Sequence, residues 1–150
     1  MRKFLMRATL NVCLLALYPG VTCYGTDAPP EFHTMKNPVH STGSVLATAK
    51  SNFEDHCIPC HGNEGRGDGP LATDLKTRPK DLTSAKELST LTDGEIFWLV
   101  TTGKDPMPSF AQKLTDEERW GLVLLVRQMS KTTSTTGVRH VQASSHRAGQ

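Results

Sequence analysis

The sequence is poor in the residues that build a large hydrophobic core. Aromatic residues make up only 6% of its 150 positions, and apolar residues of all kinds make up 37%. A chain of this length has room for about one domain. Because so little apolar surface is available for burial, we expect one small domain that gains stability from a bound group.

The sequence also lacks an apolar run long enough to cross a membrane. Its longest apolar stretch, residues 8–17, follows three basic residues and precedes a region of small residues, whereas a membrane-spanning helix needs about 20 apolar residues. This order predicts a secretory signal peptide over residues 1–25 and an exported, periplasmic protein. Two alternatives would tether the protein to a membrane: an uncleaved signal, or a lipid attached at Cys23.

No excess of basic residues remains once this segment is set aside. Three of the 17 basic residues and none of the 15 acidic residues lie in residues 1–25, so the remainder has a formal charge of −1. This balance, without a basic stripe, argues against nucleic acid as a partner.

Cysteine is too scarce for a disulfide framework. Of the four cysteines, Cys13 and Cys23 fall in the predicted signal peptide. The mature protein then keeps Cys57 and Cys60, three positions apart. In an exported protein this single close pair points to chemistry other than two structural disulfides.

The pair belongs to the motif Cys57-Ile58-Pro59-Cys60-His61. Two thiols at this spacing can form thioethers with haem, and the histidine that follows can bind the iron from the same side. A thioredoxin-type redox pair would need a strand-rich pattern before the motif, and a structural zinc site would need further ligands. The sequence has neither, so it predicts one covalently attached haem c with His61 as an axial ligand.

The second axial ligand is predicted to be Met107. It lies between Pro106 and Pro108, which stiffen a loop that joins two predicted helices. A methionine there would raise the reduction potential and close the iron to small molecules. Other residues that could occupy this position are Met35, Met129, His33, His40 and His56.

Helical signals surround these candidate ligands. Val45, Ala49 and Phe53 recur at helical spacing from Ser44 up to the cysteine motif. Capping boxes at residues 92–95 and 115–118 open two further helices, which are expected to end at Gly103 and about Met129. Four glycines between residues 62 and 69 exclude a regular helix and allow the backbone to pass close to a flat ligand.

The chain is therefore divided into four segments. We expect an extended linker at residues 26–43, because this stretch is rich in proline and has little apolar periodicity. The haem domain is assigned to residues 44–131. Residues 132–150, which are polar and aperiodic, are expected to form a disordered tail.

These features together resemble the class I cytochrome c family. The resemblance rests on Phe53 four residues before the cysteine motif, on Gly67-Asp68-Gly69-Pro70, and on Met107-Pro108-Ser109-Phe110 before a final helix. It implies a small all-α domain wrapped around the haem, in which the first and last helices cross and Phe53 meets Trp120 or Leu124. It also implies that the carbonyl of Pro70 accepts a hydrogen bond from His61, with Pro79 as the competing position.

Function is expected to follow from closed ligation by His61 and Met107. The domain would shuttle single electrons between protein redox partners of an exported respiratory or oxidative pathway, without being an enzyme and without a small-molecule substrate. Two alternatives are a haem protein whose sixth ligand is displaced by a small ligand or peroxide, and a haem subunit of a larger oxidoreductase complex, which could be a membrane respiratory complex.

Overall fold

The computed structural model describes residues 26–144, with side chains described over residues 26–131. The described part of the chain is helical and contains no strand. Its α-helices are α1 (Pro30–Thr34), α2 (Gly43–His56), α3 (Ile58–His61), α4 (Ala85–Leu88), α5 (Asp93–Thr102) and α6 (Asp116–Ser144), and a short 3-10 helix spans Ala72–Asp74. None of the described helices combines the length and apolar character that a membrane crossing requires.

Helices α2 and α6 form the main packing contact of the domain. The side chain of Thr42 caps α2 by accepting a hydrogen bond from the Val45 N–H. Gly121 of α6 faces α2, and a Cβ added there would lie 3.5 Å from Val45 Cγ1 and 3.6 Å from Ala49 Cβ. The small residues let the two helices approach closely and bury Phe53.

The core divides into two clusters of buried residues. The first cluster lies between α2, α6 and the segment that joins α5 to α6; it consists of Ala49, Phe53, Val100, Phe110, Leu114, Leu122 and Leu125. The second cluster lies between α5, α6 and α4; it consists of Leu88, Leu91, Ile96, Phe97, Trp120, Val123 and Val126. The rings of Phe97 and Trp120 stack at 4.1 Å in the second cluster.

Helix α5 begins and ends where its sequence indicates. Thr92 and Glu95 form a complete capping box, in which the Thr92 side chain accepts from the Glu95 N–H and Glu95 accepts from the Thr92 N–H. The helix stops at Gly103, whose φ of +74° favours glycine. The helix therefore ends four residues before Met107 in the sequence.

The segment before α2 is packed rather than extended. In this N-terminal strap, residues 26–42, the carbonyl of Phe32 accepts a hydrogen bond from the Thr92 hydroxyl at 3.3 Å. The Asn37 amide donates to the Trp120 carbonyl at 3.0 Å. Its apolar side chains pack against the second cluster: Phe32, Met35 and Val39.

Two details of α5 show how closely the strap fits. A Cβ added at Gly94 would lie 2.8 Å from Met35 Cβ, too close for real atoms. The side chain of Glu95 is fully buried, accepts from the Thr26 hydroxyl at 2.8 Å and lies 3.2 Å from His33 Nδ1. The predicted extended linker at residues 26–43 is therefore corrected, because its few apolar residues cover α5 and its polar residues satisfy a buried carboxylate.

The buried carboxylate gives the strap a pH-dependent stability. Burial by itself raises the pKa of Glu95, but hydrogen bonds from Thr92 and Thr26 and the nearby His33 outweigh it, so the pKa lies below its ordinary value. A carboxyl group of this kind stabilises the fold above its unfolded pKa of ~4.3, and this stabilisation is lost as the pH falls through the lower folded value.

We therefore expect Glu95→Gln to lower the free energy of unfolding of the holoprotein at neutral pH by about 1–3 kcal/mol, since hydrogen bonds to the charged group are lost. The difference from the wild type should shrink as the carboxyl of the wild type becomes protonated. Urea unfolding followed between neutral pH and about pH 3 would measure this. A difference that stays constant across that range would contradict the assignment.

Helix α6 is longer than its pattern indicates, because its backbone remains helical to Ser144. The expected disordered tail at residues 132–150 is therefore corrected for residues 132–144. Once a helix has formed, each further residue adds a hydrogen bond without a new nucleation cost, and this stretch contains no proline. The predicted signal peptide, residues 1–25, with Cys13 and Cys23, lies outside the described residues.

Candidate haem-binding site

The cysteine motif folds into a single helical turn directly after α2. Cys57 ends α2, and its carbonyl accepts hydrogen bonds from the N–H groups of Cys60 at 3.2 Å and His61 at 2.8 Å. Pro59 is tolerated because it lies in the first turn of α3, where its missing N–H leaves no gap. Residues three and four positions apart share one face of a helical turn, so the two thiols and the imidazole lie on one side.

The glycine loop, residues 62–71, folds back onto this turn. Gly69 N–H donates to the Cys60 carbonyl at 3.1 Å, and Leu71 N–H donates to the Pro59 carbonyl at 2.8 Å. A Cβ added at Gly69 would lie 2.5 Å from the Pro59 oxygen and 2.7 Å from the Cys60 carbonyl carbon. The loop therefore fixes the backbone that carries the cysteines, and it has no room for a side chain at Gly69.

The orientation of His61 is set by a residue that the sequence did not indicate. His61 Nδ1 lies 3.2 Å from the carbonyl oxygen of Lys80. With Nδ1 directed at this acceptor, Nε2 is left for a metal ion, which is the usual arrangement of a histidine ligand.

Pro70 does not supply this carbonyl, and its predicted role is corrected. Its neighbours Gly69 and Leu71 are hydrogen-bonded to the backbone of α3, so this part of the loop covers the cysteine turn instead of the imidazole. The segment around Pro79 reaches His61 because it is fastened to the glycine loop: Arg78 Nε donates to Gly67 O at 3.3 Å, and Leu82 N–H donates to Gly65 O at 2.7 Å.

Met107 lies in a tight turn that packs on the first cluster. Its N–H donates to the Lys104 carbonyl at 2.7 Å, and its carbonyl accepts from the Lys104 N–H at 3.0 Å. The half-buried side chain of Met107 packs against the first cluster, as does Cys57. Residues 50 positions apart in sequence are thus brought to the same apolar cluster.

The other candidate axial ligands occupy different surroundings. In the strap, His33 lies beside Glu95 of α5, and Met35 packs against the second cluster. His40 is exposed. His56 contacts the Phe110 ring at 5.9 Å between ring centroids. Met129 packs against the first cluster from α6, and a Cβ at Gly65 would lie 3.2 Å from its sulfur.

Burial shifts the pKa values of both Cys57 and His61. Burial raises the pKa of the Cys57 thiol to about 12, and neighbouring Cys60 adds to the rise. Burial lowers the pKa of His61, although its hydrogen bond to Lys80 acts in the opposite direction. The imidazole is therefore held in the neutral form, which is the form that binds a metal ion.

The donor set fits haem better than it fits a bare metal ion. Within residues 26–131, no three His, Cys, Asp or Glu side chains are grouped so that they could hold a metal ion. The zinc alternative therefore finds no further ligands in the described side chains. The two cysteines and the neutral His61 supply the thioether and axial-ligand groups that a covalently attached haem needs.

Comparison with known proteins agrees with this site. Residues 44–126 match the family described as cytochrome C oxidase, cbb3-type, subunit III. No curated protein matches the chain significantly.

The solved structures that are similar to the chain include the following two. The first is a chain of the Kuenenia stuttgartiensis reducing HAO-like protein complex Kustc0457/Kustc0458. The two chains are 33% identical, and the match covers 61% of this chain and 46% of that chain, with a TM-score of 0.55. The chain thus spans less than half the length of that relative. The second is the c-type cytochrome KustC0563, which is 28% identical over 54% of this chain and 95% of that chain, with a TM-score of 0.49.

The expected all-α fold and the resemblance to class I c-type cytochromes are thereby confirmed. The family match covers more than half of the chain, and the chain therefore belongs to the cytochrome C oxidase, cbb3-type, subunit III family, as a c-type cytochrome domain.

Proposed function

We propose that this domain transfers single electrons between protein partners through one haem c bound by Cys57 and Cys60 and ligated by His61 and Met107. The observation that carries the proposal is the position of Met107. Its side chain packs on the same apolar cluster as Cys57, in a turn closed by two hydrogen bonds to Lys104. As a ligand of the haem iron, this sulfur would leave no open position for a substrate.

The protein residues have separate tasks in this mechanism. The haem, when bound, supplies an iron that changes its charge by one electron. The Lys80 carbonyl holds His61 in one orientation and tautomer, which raises the basicity of the ligand. The first cluster packs apolar side chains against Cys57 and Ile58, which would limit the access of water on that side and affect the reduction potential.

A potentiometric titration of the holoprotein tests this function. We expect one reversible one-electron step, and we expect the ferric protein to turn over no hydrogen peroxide and the ferrous protein to bind carbon monoxide weakly, because Met107 occupies the sixth position. Rapid peroxide turnover or tight binding of carbon monoxide would instead favour the alternative, a small-ligand-binding or peroxidase-like haem protein.

A second candidate role is that of a haem subunit within a larger oxidoreductase complex. It is favoured by the family description, which names an oxidase subunit. It is also favoured by the similarity to a chain of a protein complex, of which the match covers only 46%. Purification of the tagged protein from its native host in mild detergent tests this role. Stoichiometric co-purification of further redox subunits would support it, whereas a monomeric cytochrome would favour a free carrier.

We further propose that residues 1–25 direct export and that the domain works outside the cytoplasm, either free or tethered. The support is the basic start and short apolar run of this segment. The N-terminal sequence of the mature protein tests it: a start at about Thr26 indicates cleavage, a lipid on Cys23 indicates a lipoprotein, and an intact Met1 indicates an uncleaved anchor.

A further inference from the structure

A buried arginine at the start of α6 contacts the chain that follows Met107. Arg119 of α6 is 5% exposed. Its Nη1 donates to the Leu114 carbonyl at 2.8 Å and to the Phe110 carbonyl at 3.5 Å. Its Nη2 donates to Asp116, and its guanidinium lies 5.5 Å from the centre of the Phe97 ring.

The two carbonyls bracket a short irregular segment, residues 110–114. This segment has no helix or strand of its own, and its internal hydrogen bonds are those from the Lys113 and Leu114 N–H groups to the Phe110 carbonyl. Both bonds come from Nη1, which carries two N–H groups, so this one nitrogen donates to a carbonyl at each end of the segment.

Phe110 connects this anchor to Met107, three residues earlier. The Phe110 N–H donates to the Val100 carbonyl at 3.1 Å, and its ring is 4% exposed in the first cluster. The Ser109 hydroxyl donates to the Thr101 carbonyl at 2.6 Å. The chain after Met107 is therefore held between the end of α5 and Arg119, with no regular secondary structure to hold it otherwise.

Keeping a charge at this position has a cost. Asp116, the acidic partner, is 81% exposed on its side chain, and Arg119 Nε has no hydrogen-bond partner among the described residues. An apolar side chain of similar size would avoid the desolvation cost of the guanidinium. What an apolar side chain could not do is donate to the two carbonyls of the segment.

We propose that Arg119 is a positioning residue that holds Met107 on the sixth position and so controls how readily an outside ligand displaces it. This inference rests on the proposed ligation by Met107. Loss of the Arg119 hydrogen bonds should make the segment easier to open, because hydrogen bonds from a charged group to backbone carbonyls outside any helix or strand are lost. A small ligand that competes with the sulfur should then bind more tightly.

Arg127 provides a matched control on the same helix. It lies two turns further along α6 and also donates to two backbone carbonyls, those of Leu88 at 2.7 Å and Leu91 at 2.6 Å, as well as to Asp93 at 2.8 Å. These acceptors lie in α4, in α5 and in the turn between them, and none of them lies in the chain between Met107 and α6. Its removal should destabilise the protein without loosening Met107.

The experiment is a spectroscopic titration of the ferric holoprotein with imidazole, together with the thermal midpoint of each variant. We expect Arg119→Gln to bind imidazole at least about tenfold more tightly than the wild type. The imidazole affinity of Arg127→Gln should stay within about twofold of the wild-type value, even if its thermal midpoint falls as far as that of Arg119→Gln. Arg119→Lys keeps the charge and one donor nitrogen, so it should show a smaller increase. It replaces the glutamine variant if that variant does not accumulate as holoprotein.

Equal affinities in the wild type and the Arg119 variants, or equal increases in the Arg119 and Arg127 variants, would overturn the inference. The wild-type spectrum separates this failure from that of the proposed function. A wild type without methionine ligation contradicts the proposed function itself, whereas a methionine-ligated wild type whose imidazole affinity does not depend on Arg119 contradicts only the role of Arg119.

Discussion

Replacement of Met107 by alanine is expected to open the iron and to lower the reduction potential. The variant should lose the weak methionine-to-iron absorption band, become high-spin or take up an outside ligand, and bind carbon monoxide or imidazole readily. The potential should fall by ~100 mV or more, a part of the ~0.8 V range over which axial ligands tune haem. Optical spectra and a potentiometric titration of wild type and variant measure both effects.

Met129 offers the control for this prediction. It is also a half-buried methionine that packs against the first cluster, but it lies within α6. Met129→Ala should cost packing energy, up to about 2 kcal/mol for a partly buried site, and should leave the methionine band and the potential close to those of the wild type. If the band survives in the Met107 variant and disappears in the Met129 variant, the ligand is Met129 and the assignment is wrong.

Replacement of Gly69 by alanine is expected to prevent formation of a stable holoprotein. A methyl group there would lie 2.5 Å from the Pro59 oxygen, and backbone atoms of the cysteine turn would have to move. We expect the free energy of unfolding to fall by about 2–4 kcal/mol and the yield of haem-containing protein to fall with it, because the displaced turn carries both cysteines. Urea unfolding and the ratio of haem to protein absorbance measure these changes.

Gly43 is the matched position for this second prediction. Nothing lies within 4 Å of a Cβ added there, and the residue is at the start of α2. Gly43→Ala should be neutral or slightly stabilising, by up to about 1 kcal/mol, with an unchanged haem content. Equal haem content in the Gly69 and Gly43 variants would show that the close contact of the glycine loop is not required for attachment.

Those features of the fold that depend on neighbouring residues could be predicted from the sequence. The capping boxes at Thr92 and Thr115 are both present, because each needs only residues that lie three positions apart. Gly103 ends α5 with a positive φ, as expected of a glycine at that position. The cysteine motif forms one turn for the same local reason.

Features that depend on residues far apart in the chain were beyond prediction. The acceptor for His61 is a backbone carbonyl, and any residue can supply one, so nothing in the sequence distinguishes Lys80 from Pro70 or Pro79. The cluster partners of Phe53 on α6 are Leu122 and Leu125. Of the two predicted partners, Trp120 lies in the second cluster and Leu124 belongs to neither cluster. A small error in the phase of one helix is enough to exchange these neighbours.

The strap shows a further limit of pattern analysis. Its apolar residues are few and irregularly spaced, so they carry no periodic signal, yet they cover α5, and Glu95 is fully buried. The buried Arg119 and the half-buried Arg127 of α6 are likewise not predicted by a pattern that expects charge at the surface. In both cases the partner groups are backbone atoms or single distant side chains, which composition does not reveal.

The absorption spectrum of the purified ferric and ferrous protein, recorded before and after extraction with acidified acetone, tests the central claim most directly. We predict a low-spin spectrum with a methionine-to-iron band in the ferric state, and haem that stays with the protein after extraction because Cys57 and Cys60 hold it covalently. Protein without haem, haem that is removed by the extraction, or a high-spin ferric spectrum would contradict the account.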